Sequence, residues 1–163
     1  MTFVTLGNPT QPFNRLLEAI KALVADNTLP RPVLVQSGAT RSFSCTECEI
    51  VPLLSPADFD RAMVNAKVVI GHAGAGTIIN ALRAGHCPIV MPRERRYGEM
   101  VDDHQGELVK ALAAEGLVYV ASSVQEITTG VAVVQQRRGH SVSGSNSRLL
   151  DLVSRRLDEL ILR

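Results

Sequence analysis

The chain has 163 residues, of which 45% are hydrophobic, and this is enough for one compact domain with an apolar core. Its formal net charge of +1 argues against nucleic-acid binding driven by phosphate contacts. The N-terminal residues read as a strand and not as a secretory signal, and no apolar run approaches the roughly 20 residues that a membrane-spanning helix needs. We therefore expect a soluble, cytoplasmic protein.

Strand-like and helix-like stretches alternate along the first 136 residues. The predicted strands are Phe3 to Leu6, Val33 to Gln36, Ile50 to Leu53, Val68 to Gly71, Pro88 to Met91 and Leu117 to Val120. The predicted helices are one from Phe13 to Val24 after Pro12, one that begins after Ser55, one that follows the turn at 71–77, one from about Asp103 to Glu115, and one that opens with the capping box Ser123 to Glu126.

Strands that are apolar throughout and separated by helices indicate a parallel sheet covered on both faces. The predicted fold class is therefore α/β, a doubly wound, mostly parallel six-stranded Rossmann-like sheet that forms a single domain over residues 1–136. Residues 137–147, rich in Gly, Ser and Arg, are predicted to be a flexible connector. Residues 148–163 are predicted to form an amphipathic C-terminal helix, which either docks on its own domain or reaches onto a partner.

The most informative segment is the glycine-rich turn at 71–77, Gly-His-Ala-Gly-Ala-Gly-Thr, between a predicted strand and a predicted helix. A helix start presents several free backbone N–H groups and the positive end of the helix dipole, which together bind a phosphate or diphosphate without lysines. Glycines at 74 and 76 let a ligand approach the backbone closely. The segment predicts a site for a phosphorylated small molecule.

Two short patterns are typical of metal sites, and the sequence favours other interpretations for both. Cys45 and Cys48 have zinc-knuckle or redox spacing, but no second pair completes a four-ligand site, so we interpret them as incidental thiols, with a metal or disulfide role as the alternative. Asp58-Phe59-Asp60 matches an Asp-x-Asp metal motif, but it lies in a first helical turn, where acids favour the helix dipole. We expect no metal to be required for nucleotide binding.

From His72 the chain runs His-Ala-Gly-Ala-Gly-Thr, then Asn80, Gly85, Pro88 and Pro92, then Asp103-His104-Gln105, and this order resembles the signature of UDP-sugar transferases of the GT-B fold. Val4 to Gly7, Gln11 to Leu16 and the segment from Met91 to Gln105 are similar to one subfamily, the family 28 C-terminal domain that occurs as a separate small chain. That subfamily includes the soluble subunit of the eukaryotic two-subunit UDP-GlcNAc transferase and the glucuronosyltransferase subunits of bacterial exopolysaccharide assembly. The resemblance covers about residues 2–135.

The resemblance implies a role for the glycine-rich turn. Backbone N–H groups of Gly74, Ala75, Gly76 and Thr77, with the Thr77 hydroxyl, would bind the UDP diphosphate and stabilise the charge that builds up on it as the sugar leaves. His72 would contact a phosphate or the sugar, or alternatively cap local backbone. The expected catalytic residues are therefore His72, Gly76 and Thr77.

The resemblance also implies further substrate contacts. Asn80 stands where family members often carry glutamate for the ribose hydroxyls, and an amide makes weaker, uncharged bonds there. The other expected contacts are Asp103 and Gln105 with the sugar hydroxyls (or helix capping by the acid), Leu53 and Leu54 beside the uracil, and Gly7 and Asn8 on the acceptor side. Arg93, Arg95 and Arg96 read as a basic cluster, which is a solvated face, a site for an acidic sugar such as glucuronate, or a contact for anionic lipid headgroups.

A complete GT-B enzyme has two such domains, and this chain holds one. The resemblance implies a donor-binding catalytic subunit that moves a hexosyl unit from a UDP-sugar to a lipid-linked acceptor, without cofactor or metal. A membrane-anchored acceptor-binding partner would recruit it to the inner face of the membrane; self-association is left open. A nicotinamide-dependent oxidoreductase would carry its glycine fingerprint at the first turn, where Gly7 to Pro12 does not fit. A non-catalytic nucleotide-binding or scaffolding subunit is a further alternative.

Overall fold

The computed structural model describes residues 1–7, 10–40, 42–99 and 105–138, without the side chains of 105–108 and 138. The strands are β1 Thr2–Thr5, β2 Val33–Gln36, β3 Cys48–Val51, β4 Val68–His72, β5 Ile89–Met91 and β6 Tyr119–Val120. They form one six-stranded sheet in the order β3-β2-β1-β4-β5-β6, with every neighbouring pair parallel. The predicted fold class is confirmed.

Helices connect these strands in the order that the sequence predicts, with no helix among the described residues between β2 and β3. They are α1 Asn14–Ala25, α2 Pro56–Asn65, α3 Ala75–Arg83, α4 Gln105–Ala114 and α5 Val124–Arg138, with a short 3-10 helix over Arg95–Tyr97. Because α5 continues through Arg138, the predicted connector does not begin at residue 137. The rest of that connector and the predicted helix at 148–163 lie outside the described residues.

Side-chain caps fix two of the helix starts. At α2 the Ser55 hydroxyl accepts a hydrogen bond from the Asp58 N–H at 3.2 Å, as the sequence predicts. At α5 the Ser123 hydroxyl accepts from the Glu126 N–H at 3.2 Å, but the Glu126 carboxylate bonds the N–H and hydroxyl of Ser122 instead of the Ser123 backbone. These bonds to Ser122 lower the pKa of the Glu126 carboxyl. The predicted capping box is therefore present with its return bond shifted by one residue.

Successive strand residues point to opposite sides of the sheet, so both faces carry apolar side chains, and helices cover both faces. Val4 and Ile70 pack on one face against buried side chains of α1 and α5. On the opposite face Phe3 packs against α2, while Val90 packs against α3 and α4. With both faces filled, the strand ends and the loops that follow them are left to bind a ligand.

Cys45 and Cys48 are joined in a disulfide just before and at the start of β3, so the interpretation of incidental thiols is wrong for this pair. Both residues pack against the core cluster on the α1 side of the sheet. Within residues 1–7, 10–40, 42–99 and 105–138, no helix combines the length and the apolar character that crossing a membrane demands.

Candidate functional site

Buried polar side chains gather at the carboxyl edge of the sheet, where parallel strands bring their ends together. The described residues that share this edge are Thr5, Gln36, Ser37, Thr40, Thr77, Arg93 and Glu99. Apolar side chains fill a core without needing hydrogen-bond partners, so this concentration of polar side chains distinguishes the edge from the apolar core. This edge is also where open α/β sheets bind their ligands, and it is the candidate site.

The turn between β4 and α3 supplies an uncapped helix start at this edge. Gly74 is the N-cap residue, with an extended backbone (φ −77°, ψ 135°), and no described side chain caps the helix. Helix geometry gives the N–H groups of Ala75, Gly76 and Thr77 no intrahelical acceptor. Together with the helix dipole, these groups can bind an anion.

Gly76 leaves open space beside these N–H groups. Beyond its chain neighbours and its own helix backbone, a Cβ built at Gly76 would meet no protein atom within 4 Å, whereas a Cβ at Gly130 in α5 would lie 2.7 Å from the Tyr119 ring. Glycine in a helix costs about 1 kcal/mol relative to alanine. Packing explains the glycine in α5 but not the one in α3. The space over Gly76 is therefore consistent with a ligand that approaches the backbone.

The His72 ring lies in a slot between two glycines at the same edge. A Cβ on Gly7 would come 2.5 Å from ring atom Cε1, and a Cβ on Gly74 would overlap ring atom Nε2. Gly7 also has a φ of +70°, which favours glycine. The loop after β1 and the turn after β4 thus fit together around this imidazole.

The surroundings of His72 disfavour its protonated form. Burial, followed by the positive charge of Arg93, lowers the pKa of His72 to about 4, while the backbone of Thr5 partly opposes the shift. Ring atom Nδ1 is buried and has no hydrogen-bond partner among the described residues. At neutral pH the ring is therefore uncharged and can offer a hydrogen bond, but no positive charge, to a phosphate.

Gln36, at the end of β2, ties together three neighbouring segments. Its Nε2 donates to Thr5 Oγ1 at 3.2 Å, and its Oε1 accepts the Leu54 N–H at 3.0 Å. Thr5 Oγ1 in turn accepts the Gly7 N–H at 3.3 Å. The backbone donor of Leu54 is thus already used within the protein, and the Leu53 side chain is 62% exposed. A uracil contact at this pair remains a prediction.

Arg93 does not belong to a solvated basic cluster, and that interpretation is wrong, because the residue is 4% exposed. Its Nη1 donates to the carbonyls of Gln11 and Glu99, each at 3.0 Å, and its Nη2 donates to the Leu6 carbonyl at 3.2 Å. The guanidinium also lies 4.5 Å from the centroid of the Phe13 ring. Backbone carbonyls and an aromatic face replace water around this cation, so its terminal nitrogens are engaged by the protein.

Arg96 is exposed but is also paired. Its Nε lies 2.6 Å from a Glu94 carboxylate oxygen, and its guanidinium lies 4.8 Å from the Tyr97 ring centroid. Arg95 also makes contacts within the protein. Because Arg95 and Arg96 both have partners, the segment does not present a simple cationic patch.

The remaining predicted contacts are only partly described. Asn80 lies half-buried in α3, and Gln105 is the first residue of α4, with a side chain outside the description. Asn8 and Asp103 lie outside the described residues. Their substrate contacts stay predictions. In the described part of the chain, no three His, Cys, Asp or Glu side chains come together as metal ligands.

Sequence reasoning gave no role to Gln36, Arg15 or Glu99, which the structure places at or beside this edge. Gln36 could have been found as the one polar residue that ends the apolar strand Val-Leu-Val-Gln. Arg15 and Glu99 stood inside segments that carry the family resemblance, but nothing in their local sequence indicates that they meet.

A parallel doubly wound sheet with an uncapped, glycine-containing helix start at its carboxyl edge is an architecture common among nucleotide- and phosphate-binding domains. The sequence matches the Glycosyltransferase family 28 C-terminal domain over residues 1–143, and the chain belongs to that family.

Curated relatives match parts of the chain. A 66-residue segment is 41% identical to the UDP-N-acetylglucosamine transferase subunit ALG13 of Cryptococcus neoformans and covers 40% of this chain and 32% of that protein. A 137-residue segment is 26% identical to the protein of the same name from Yarrowia lipolytica and covers 78% of this chain and 67% of that one. The match therefore spans about a third of the Cryptococcus relative's length.

Among solved structures, MurG of Acinetobacter baumannii superposes with a TM-score of 0.54 at 18% identity. The superposition covers 94% of this chain and 49% of MurG. At 18% identity the likeness concerns the fold alone. The chain corresponds to about half of the MurG molecule.

Proposed function

We propose that this chain is the donor-binding catalytic subunit of a two-part glycosyltransferase, which moves a hexosyl unit from a UDP-sugar to a lipid-linked acceptor. Family membership supports the reaction class, and relatives that are named as subunits of a UDP-N-acetylglucosamine transferase support the two-part arrangement. The observation that carries the proposal is the open, uncapped start of α3 at Gly74 to Gly76.

In this proposal the backbone of α3 provides the main electrostatic stabilisation of the diphosphate. The N–H groups of Ala75, Gly76 and Thr77 donate to the diphosphate oxygens of the bound UDP-sugar. As the bond between the sugar and UDP breaks, negative charge grows on the diphosphate, so the same donors bind the transition state more strongly than the ground state. The donors are fixed by the helix, and they need no reorganisation as the charge develops.

His72 serves on the donor side and not as the general base. A group with a pKa of about 4 is a weak proton acceptor at neutral pH. The base that activates the acceptor hydroxyl would therefore come from a partner chain, which we propose to be membrane-anchored and to hold the lipid-linked acceptor. Binding to that partner would bring this chain to the inner face of the membrane.

A second candidate is a nucleotide-binding or scaffolding subunit without catalytic activity. It is favoured by Asn80, since a neutral amide binds ribose hydroxyls less strongly than the glutamate typical of the family. The two candidates differ in whether the assembled complex transfers sugar.

Calorimetric titration with UDP, UDP-N-acetylglucosamine, UDP-glucuronate and NADH tests the proposal. We expect UDP and at least one UDP-sugar to bind, and NADH not to bind, because the first strand–helix turn lacks a dinucleotide fingerprint. We further expect sugar transfer once the chain is co-expressed with its partner. Nucleotide binding without transfer in that complex would favour the second candidate. Absence of uridine nucleotide binding would exclude the catalytic subunit and leave only a scaffolding role.

A further inference from the structure

Two loops at the carboxyl edge are joined by alternating guanidinium groups and aromatic rings. We call this set the arginine–aromatic cluster; it consists of Phe13, Arg15, Arg93, Arg96 and Tyr97. The Arg15 guanidinium lies 5.5 Å from the Phe13 ring centroid and 4.9 Å from that of Tyr97. Arg93 also lies over Phe13, and Arg96 over Tyr97. The cluster therefore connects the start of α1 with the loop between β5 and α4.

A bidentate ion pair within this region sets the position of the second loop. Arg15 Nε donates to Glu99 Oε1 at 3.1 Å, and Arg15 Nη2 donates to Glu99 Oε2 at 2.8 Å. The same Nη2 donates to the Pro92 carbonyl at 2.7 Å, and Glu99 Oε2 also accepts the Glu94 N–H at 2.9 Å. The described part of the loop, residues 92–99, is thus bound to α1 through Pro92 and Glu99.

Stabilisation of the fold does not by itself explain the ion pair between Arg15 and Glu99. Glu99 is 3% exposed, and desolvation of a buried carboxylate offsets much of the Coulomb attraction, so apolar packing of the same volume would stabilise the fold as well. What a planar, bidentate pair supplies is a fixed relative orientation. The arrangement therefore fits a role in placing the loop.

In the sequence, residues 92–99 precede Asp103 and Gln105, which the family resemblance implies at the sugar. The diphosphate donors lie on a different element, α3, which makes none of these contacts. On the basis of the proposed function, we propose that Arg15 and Glu99 are positioning residues that place the loop after β5 for the sugar of the donor. The diphosphate contacts do not depend on them.

This inference predicts that changes at Arg15 separate the affinity for UDP from the affinity for a UDP-sugar. In the complex with the partner, we compare wild type, Arg15→Met and Arg15→Lys by titration with UDP. The same variants are compared by titration and by steady-state transfer kinetics with whichever of UDP-N-acetylglucosamine and UDP-glucuronate binds wild type better. We expect Arg15→Met to leave the affinity for UDP unchanged and to lower kcat/KM for the UDP-sugar roughly ten- to hundredfold, as for misplacement by about 1 Å. Arg15→Lys keeps the charge without the fork and should recover part of this loss.

Arg31→Met is the matched control, because it removes an arginine from an exposed ion pair with Glu47, at 3.0 Å, that does not contact either loop. We expect no change in any of these quantities. The inference is overturned if Arg15→Met retains the wild-type kcat/KM, or if its UDP affinity falls in parallel with its affinity for the UDP-sugar. Should Arg15→Met fail to fold, the same two comparisons on Arg15→Lys decide the matter. Failure of wild type to bind UDP would instead refute the proposed function.

Discussion

His72 shows how the surroundings of one residue decide its chemistry. The ring lies between Gly7 and Gly74, and its burial and the charge of Arg93 lower its pKa to about 4. A histidine at the end of a strand, beside a proposed phosphate site, would be expected to act as a cation. The structure instead favours a neutral hydrogen-bonding group, whose strength as a donor does not depend on pH in the physiological range.

This low pKa predicts a specific loss of stability in acid. Because the unfolded chain binds a proton at His72 near pH 6.5 and the folded chain only near pH 4, acidification favours the unfolded state across that interval. We expect His72 to remove about 2 kcal/mol from the free energy of unfolding between pH 7 and pH 4.5. Urea unfolding of wild type and His72→Gln at both pH values measures this contribution. Equal losses in the two proteins would show that His72 does not titrate in this way.

For single residues, the sequence predicts a role when that role depends on local geometry. It misses a role when the residue's partners are distant in the sequence. The glycine-rich turn and its histidine could be placed because strand, turn and helix are contiguous. Arg93 could not, since it reads as one of several charges on a loop, whereas Phe13 and the Gln11 and Pro12 carbonyl groups beside its guanidinium lie about 80 residues earlier. Gln36 was missed for the same reason, as Thr5 and Leu54 come from other segments.

Two helical glycines show that the same residue serves opposite purposes in two elements. At Gly130, in α5, a Cβ would press on the ring of Tyr119 and the tip of Ile89, so the glycine allows α5 to pack closely on β5 and β6. At Gly76, in α3, the space is open. Only the first glycine is needed for the packing of the described residues.

The contrast predicts opposite effects of one substitution on stability. Gly130→Ala overpacks the contact with Tyr119, and we expect it to lower the free energy of unfolding by up to about 2 kcal/mol, despite the better helix propensity of alanine. The added methyl group of Gly76→Ala meets no atom beyond its own helix, so this change should raise the free energy of unfolding by up to about 1 kcal/mol. Denaturant unfolding of both variants measures the two effects. A gain of stability in both would show that Tyr119 moves aside without cost.

The ends of a strand depend on the neighbouring strand with which it pairs as well as on its own composition. This explains why the predicted and observed bounds of β3 differ. The apolar run Ile50 to Leu53 predicts a strand two residues later than β3, which starts at Cys48 because Cys48 pairs with Val33 on β2. β3 ends at Val51, where the ladder with β2 ends and where Pro52, with no N–H, cannot continue it. The exposed Glu49 suits an edge strand, which a charge protects from further pairing.

On the scale of the whole molecule, the fold was predictable because every level of the sequence agrees with it. Apolar strands, helix caps and glycine turns all indicate a doubly wound sheet, and the structure has that sheet with both faces covered. The function was predictable only in part. In the proposed enzyme the acceptor site and the general base would belong to another chain, whose contacts this sequence does not encode.

The central claim is that main-chain donors at the start of α3 bind the diphosphate of a UDP-sugar, and calorimetry of Gly76→Ala with UDP tests it most directly. Gln125→Ala, at the equivalent second position of α5, is the control. We predict that Gly76→Ala folds normally and binds UDP roughly tenfold more weakly or worse, because its methyl group displaces a charge-assisted hydrogen bond worth about 1.5–3 kcal/mol. The control should bind UDP as wild type does. Wild-type affinity for UDP in folded Gly76→Ala would contradict the account.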